Sequence, residues 1–72
     1  MGYDYKKIRE RRERLKMSQV ELAKRAKITR PYLIGLEYGR SIPSATVLSK
    51  LANALNVREA YFFSDKMRAT KK

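Results

Sequence analysis

The sequence predicts an all-α protein built from five short helices. Ser18, Thr29 and Ser44 each stand directly before an apolar run with helical spacing, which is typical of a capped helix start. No segment shows the strict alternation of apolar and polar residues that indicates a strand. The chain has 72 residues, enough for one small domain. We therefore expect a single domain over residues 1–64, followed by a basic, disordered tail over residues 65–72.

The first helix is expected from Tyr5 to Leu15, with Asp4 as its cap. Ile8 and Leu15 lie seven residues apart on one face, and Arg12 falls on the same stripe. Most of the other residues are charged. This helix therefore offers few apolar side chains to a core.

The second and third helices have clear start signals. Ser18 and Glu21 have the spacing of a capping box, in which each side chain bonds the backbone N–H of the other residue. Thr29 caps the third helix, and Pro31 falls in its first turn, where a missing N–H costs nothing. Gly39 is placed to end it.

The fourth helix is expected to begin at Ser44 and to end at Asn56, a residue that tolerates the left-handed conformation. A last short helix is expected over about Arg58 to Phe63. The apolar face of the fourth helix consists of Val47, Leu48, Leu51, Ala52 and Leu55.

The net charge is strongly positive, with 18 Lys and Arg against 7 Asp and Glu, or +11 at pH 7. Such a charge suits nucleic acid or an anionic membrane surface, or it only keeps the helices solvated. The chain has no His and no Cys, so we expect neither an enzyme nor a metal or cofactor site. No apolar run approaches the roughly 20 residues of a membrane span, and no secretory signal precedes the first helix. We expect a cytoplasmic protein, of bacterial or phage origin.

Only Lys27, Ile28 and Thr29 separate the second and third helices. A connection this short makes the two helices cross steeply, as in the helix-turn-helix unit, and the small Ala23 leaves room at the crossing. The third helix then keeps one exposed side, which the major groove of DNA, about 12 Å wide, can admit. The sequence therefore predicts binding of double-stranded DNA through the third helix, Thr29–Tyr38.

Several segments recur in a characteristic order: Gln19-Val20-Glu21-Leu22-Ala23, Ile28-Thr29-Arg30, Leu33, Leu36-Glu37-Tyr38-Gly39, Pro43-Ser44, Leu51 to Val57, and Phe62-Phe63. In this order they resemble the Cro/repressor-type (XRE) helix-turn-helix family. The resemblance implies a five-helix, lambda-repressor-like domain. It also implies a sequence-specific transcriptional regulator, expected to be a repressor, that binds a palindromic operator as a homodimer. The chain departs from the family at Lys27, where Gly is usual, and at Arg11, where Leu is frequent.

Contacts with bases are expected from one side of the third helix, at Arg30, Pro31, Tyr32, Ile34 and Gly35. Arg is the commonest reader of guanine, and the apolar Pro31 and Ile34 suit thymine methyl groups. Gly35 carries no side chain and would allow close approach to DNA. The alternatives are a phosphate contact for Arg30, a partly buried ring for Tyr32 and a helix-packing contact for Gly35.

Contacts with the DNA backbone are expected around that helix. In the family, the residue that matches Gln19 bonds a phosphate and braces the third helix. Either Lys27 would accept a strained left-handed conformation and contact a phosphate, or the turn would differ slightly from that of the family. The expected backbone-contact residues are Gln19, Lys27, Thr29, Arg40, Ser41 and Ser44.

Two further roles follow from the resemblance. Glu37 matches an acid that pairs with an Arg on the first helix, here Arg12, and this pair is expected to be structural. The aromatic residues Tyr61, Phe62 and Phe63 are the expected dimer interface. The rival hypothesis is an antitoxin-type protein-interaction module that also binds its own promoter. A membrane-surface peptide fits less well, because the first helix is basic but has few apolar residues.

Overall fold

The structure, a computed structural model, describes residues 2–63 and is helical, as predicted. Residue 64 and the predicted tail, residues 65–72, lie outside the described residues. Within residues 2–63, no helix is long and apolar enough to cross a membrane. The elements are α1 (Lys6–Arg14), α2 (Gln19–Ala26), α3 (Arg30–Glu37), α4 (Ala45–Leu55) and a 3-10 helix (Glu59–Phe62), which replaces the predicted fifth α-helix.

The helices α2, α3 and α4 begin at the predicted caps. The hydroxyl oxygens of Ser18, Thr29 and Ser44 accept hydrogen bonds from the backbone N–H three residues further on, at 3.0, 3.3 and 3.2 Å. Only half of the predicted capping box forms, because the Glu21 carboxylate is turned toward Arg25, from which it accepts a hydrogen bond at 3.2 Å. Each hydroxyl cap stabilises its helix by about 1 kcal/mol.

Three residues other than glycine adopt the left-handed conformation where helices end. Lys27 (φ 58°) and Asn56 (φ 58°) end α2 and α4, and Lys16 (φ 60°) follows α1. A β-carbon in this region costs an L residue about 1–2 kcal/mol. The chain therefore holds strain at two lysines, and the strain at Lys16 was not predicted.

The core lies where α1, α2, α3 and α4 meet. Leu15, predicted to face inward, is 37% exposed. The prediction is wrong because α1 ends at Arg14 and the chain turns at Lys16, which carries Leu15 outward and Met17 inward. The buried apolar residues are Ile8, Met17, Leu22, Ala23, Ala26, Leu33, Leu36, Leu48, Leu51, Ala52, Leu55 and Phe62.

The N-terminal segment closes the core on its remaining side. Tyr3 forms an isolated antiparallel bridge with Phe63, and their rings meet edge to face with centroids 6.1 Å apart. The N–H of Asp4 donates to the carbonyl of Phe62 at 2.7 Å. The predicted role of Asp4 as the cap is wrong, because α1 begins one residue later, with Tyr5 at its N-cap and no side-chain cap hydrogen bond; the Asp4 carboxylate instead accepts from the N–H of Lys6 at 3.0 Å. The Tyr3 hydroxyl is buried without a hydrogen-bond partner. Burial raises the pKa of Tyr3 to about 12.

Candidate nucleic-acid interface

The turn between α2 and α3 brings the two helices close together. Lys27 has φ 58° and ψ 45°, and the N–H of Ile28 donates back to the carbonyl of Ala23 at 3.0 Å. Ala23 itself is 4% exposed, so a larger side chain would not fit at this crossing. The turn therefore depends on a small residue in α2 and on a strained residue after it.

One face of α3 is exposed and the opposite face is buried. Leu33 and Leu36 are completely buried, whereas Arg30 and Pro31 are exposed. Residues three or four apart share a face of a helix, so the exposed face continues from Arg30 and Pro31 to two partly exposed positions. These positions are Ile34 and Gly35, and Tyr32, also partly exposed, packs against the edge of the core.

A buried ion pair joins the end of α3 to α1. Arg12 Nε lies 2.7 Å from Glu37 Oε2, and Arg12 Nη2 lies 3.2 Å from Glu37 Oε1. The remaining Nη1 of Arg12 donates to the carbonyl of Met17 at 2.9 Å. The two charged side chains are 10% and 1% exposed, so each neutralises the other in a desolvated place.

Gln19 connects this ion pair to the exposed face of α3. Its Nε2 donates to Glu37 Oε1 at 3.2 Å, and its Oε1 accepts from Nε and Nη2 of Arg30 at 3.4 and 3.3 Å. The predicted backbone-contact residue and the predicted base-contact residue thus touch each other. The sequence showed both residues but not this contact, which joins positions 11 residues apart.

The chain that follows α3 folds back against the helix. Gly39, at φ 78°, reverses its direction, and the N–H groups of Arg40 and Ser41 both donate to the carbonyl of Gly35, at 2.8 and 3.3 Å. A β-carbon on Gly35 would lie 3.2 Å from the Ser41 hydroxyl oxygen. The structure therefore places two predicted DNA-contact residues, Gly35 and Ser41, against one another.

Tyr38 belongs to the exposed face of α3 although it was not predicted as a site residue. Tyr38 is 53% exposed, and the guanidinium of Arg40 lies 5.8 Å from the centroid of its ring. Its position four residues after Ile34 is the signal that could have revealed it.

The remaining predicted backbone-contact residues, Lys27, Thr29 and Ser44, are exposed. The hydroxyl oxygens of Thr29 and Ser44 are occupied as caps, but a capping hydroxyl keeps its proton. Both can therefore still donate a hydrogen bond to a phosphate oxygen.

Arg11 explains one departure from the family pattern. It lies against α4, where its Nε donates to the carbonyl of Leu55 at 3.0 Å. An apolar residue at this position would bury its side chain but leave that helix-end carbonyl without this partner. Arg11 thus has a structural contact with the C-terminal end of α4.

The predicted dimer-interface residues differ in exposure. Phe62 is completely buried inside the chain, so it has no surface to offer a second chain. Tyr61 and Phe63 are partly exposed. The ring of Tyr61 packs edge to face on Phe62, and the ammonium group of Lys7 lies 5.2 Å from the Tyr61 ring centroid.

Comparison with known proteins agrees with this geometry. A helix-turn-helix family model matches residues 8–62. The chain belongs to the helix-turn-helix family, of the Cro/repressor (XRE) type. This helix-turn-helix protein is 46% identical over 50 residues to an uncharacterized HTH-type transcriptional regulator of Mycobacterium tuberculosis (strain CDC 1551 / Oshkosh). The match covers 69% of this chain but only 36% of that relative, so the chain spans about a third of its length.

Solved structures have the same arrangement of helices. The restriction-modification controller protein C.AhdI from Aeromonas hydrophila superposes with a TM-score of 0.80 at 32% identity, over 82% of this chain and 89% of that one. The P22 c2 repressor in complex with synthetic operator 9T superposes with a TM-score of 0.80 at 25% identity, over 89% of this chain and 97% of that one. The helix-turn-helix protein is therefore a member of a family of DNA-binding transcriptional regulators.

Proposed function

We propose that this helix-turn-helix protein is a sequence-specific repressor of transcription that places α3 in the major groove of double-stranded DNA. The observation that carries the proposal is the exposed first turn of α3, at Arg30 and Pro31, on a helix whose other face is completely buried. An α-helix with its side chains is about 10–12 Å in diameter, so α3 fits a major groove about 12 Å wide. The likeness to the P22 c2 repressor, solved on a synthetic operator, supports this mode of binding.

Sequence is recognised by the exposed face of α3. Arg30, at the first turn, donates to O6 and N7 of a guanine, and Pro31 and Ile34 contact thymine methyl groups. Tyr32 contacts the edge of a base at the border of the DNA site. Gly35 lets the helix approach the bases closely, and Gly35→Ala should reduce DNA affinity without unfolding the domain, because only the end of the Ser41 side chain lies near the added carbon.

The DNA backbone is held by the residues around α3. Phosphate contacts determine the register of a protein on DNA, whereas base contacts determine its sequence preference. The second proton on Gln19 Nε2 and the free backbone N–H groups of the first turn of α2 face a phosphate on one side. On the other side lie the cation of Arg40 and the hydroxyls. The full set is Gln19, Lys27, Thr29, Arg40, Ser41 and Ser44.

In vitro selection of bound DNA, followed by two substitutions, tests these roles. Arg30→Ala should weaken binding to the selected site by about 1–3 kcal/mol and relax the preference at one base pair. Arg40→Ala should weaken binding to all sequences alike and lower the slope of log affinity against log salt concentration by about one. Selection that recovers no preferred sequence would contradict the proposal. A reporter gene behind the selected site tests repression.

We also propose that the protein binds a palindromic operator as a homodimer. Tyr61 and Phe63 offer partly exposed rings beside Phe62, which fills the core. Two copies would place their α3 helices in half-sites about 34 Å apart. Analytical ultracentrifugation on the selected DNA should give two chains per site. Tyr61→Ala should weaken dimerisation and with it DNA binding, and a higher protein concentration should restore the binding. One chain bound to a site without symmetry would refute the dimer.

A further inference from the structure

Four side chains form a continuous polar relay from α1 to the DNA-facing side of α3. In order, these are Arg12, Glu37, Gln19 and Arg30, and the donor–acceptor distances along the relay run from 2.7 to 3.4 Å. Its inner end is desolvated, since the Glu37 side chain is 1% exposed, and its outer end, Arg30, is exposed. The buried Glu37 carboxylate is thus connected to Arg30, the proposed base-contact residue, through the single amide of Gln19.

The chemistry of its neighbours determines how the Gln19 amide is oriented. An ion-paired carboxylate only accepts hydrogen bonds, and a guanidinium only donates them. Reversing the amide would place its oxygen against the Glu37 carboxylate and its NH₂ against the Arg30 guanidinium. Glu37 therefore requires the NH₂ of Gln19, and this leaves the amide oxygen facing Arg30.

This orientation holds Arg30 in a position that still allows base recognition. The Gln19 oxygen accepts from Nε and Nη2 of Arg30. A guanidinium has five N–H bonds, so three remain, and a guanine needs two. Because the side chain is already held, less rotamer freedom is lost when it meets a base.

We propose that Glu37 orients Arg30 through Gln19 and thereby sets the strength of its base preference. Glu37 is a positioning residue, because it does not touch DNA itself. The inference rests on the proposed role of Arg30 as a base-contact residue. It adds that the preference at that base pair depends on a buried charge in the core.

Two variants of unchanged net charge test the relay. Gln19→Met removes the amide, and the double variant Arg12→Met/Glu37→Met removes the buried pair while filling its volume, which commonly preserves folding. The matched control is Glu21→Met/Arg25→Met, which removes an exposed ion pair of α2 outside the relay. Thermal melting verifies that each variant is folded before DNA is added.

The readout is a ratio of two dissociation constants. It is the dissociation constant for the site changed at the one base pair that Arg30→Ala identifies, divided by the dissociation constant for the selected site. The wild-type ratio is expected to be about 5- to 150-fold. Gln19→Met and Arg12→Met/Glu37→Met should each lower it about threefold to tenfold, and at most to a ratio of one. They should leave the ratios at other base pairs and the salt slope unchanged, and the control should keep the wild-type ratio.

A folded Arg12→Met/Glu37→Met variant that keeps the wild-type ratio, or that weakens binding to all sequences equally, would overturn the relay. If Arg30→Ala changes no base preference, the base contact itself is refuted and the relay with it. The two failures are therefore distinguishable.

Discussion

Replacing Gly39 by alanine tests how the end of α3 is held against the N-terminal segment. Gly39 has φ +78°, and a β-carbon built on it would lie 2.7, 2.9 and 2.9 Å from three ring carbons of Tyr5. Carbon atoms in ordinary contact are about 3.5–4.0 Å apart. The substitution thus creates two separate problems, backbone strain and steric overlap.

The two terms can be estimated from this geometry. Alanine in the left-handed region costs about 1–2 kcal/mol. The overlap, roughly 1 Å from the ordinary contact distance, forces the Tyr5 ring to move, and such overpacking costs about 1–3 kcal/mol. We therefore expect Gly39→Ala to lower the free energy of unfolding by about 2–5 kcal/mol. A domain of 72 residues has only about 4–11 kcal/mol in total, so the loss would be large.

A double-mutant cycle measured by urea denaturation separates these terms. In the Tyr5→Ala background the overlap disappears, so Gly39→Ala should cost about 1–3 kcal/mol less there than in the wild type. Gly35→Ala is the matched control: its added carbon meets only the Ser41 side chain, and alanine is favoured in a helix by about 0.5–1 kcal/mol, so stability should hold or rise. Additivity of Tyr5→Ala and Gly39→Ala within about 0.5 kcal/mol would refute the contact.

Three further predictions concern strain, pH and the buried ion pair. Lys27→Gly and Lys16→Gly should each raise the free energy of unfolding by about 0.5–1 kcal/mol, since both relieve left-handed strain. Only Lys27→Gly should also lower the slope of log DNA affinity against log salt concentration, by about one. Equal slopes for the two variants would show that Lys27 does not contact DNA. Burial raises the pKa of Tyr3 to about 12, so the folded state keeps its phenol proton where the unfolded state loses it, and urea unfolding should show stability falling between pH 10 and 12. Tyr3→Phe should remove most of this loss of stability at high pH. Because the variant has no buried unpaired hydroxyl, it should be as stable as the wild type at neutral pH; a pH profile of stability like that of the wild type would contradict the raised pKa of Tyr3. Replacing Arg12 or Glu37 alone by alanine should cost about 3–5 kcal/mol, far more than replacing both by methionine, and equal losses in urea denaturation would contradict the desolvated pair.

The sequence determined the features that depend on near neighbours in the chain. A hydroxyl cap bonds a backbone N–H only three residues away, so Ser18, Thr29 and Ser44 predicted three helix starts that the structure confirms. The short connection at Lys27 likewise predicted the crossing of α2 and α3. The roles of Arg12 and Glu37 came from the family resemblance, since no local pattern links positions 25 residues apart.

Tertiary structure alone decided which side chains meet across the fold. The contact of Asp4 with Phe62 joins the two ends of the described chain, and the burial of Phe62 turned a predicted interface residue into a core residue. The link from Glu37 through Gln19 to Arg30 likewise exists only once α1, α2 and α3 are packed together. Such contacts leave no periodic signal in the sequence, because their geometry is determined by helix packing and not by spacing along the chain.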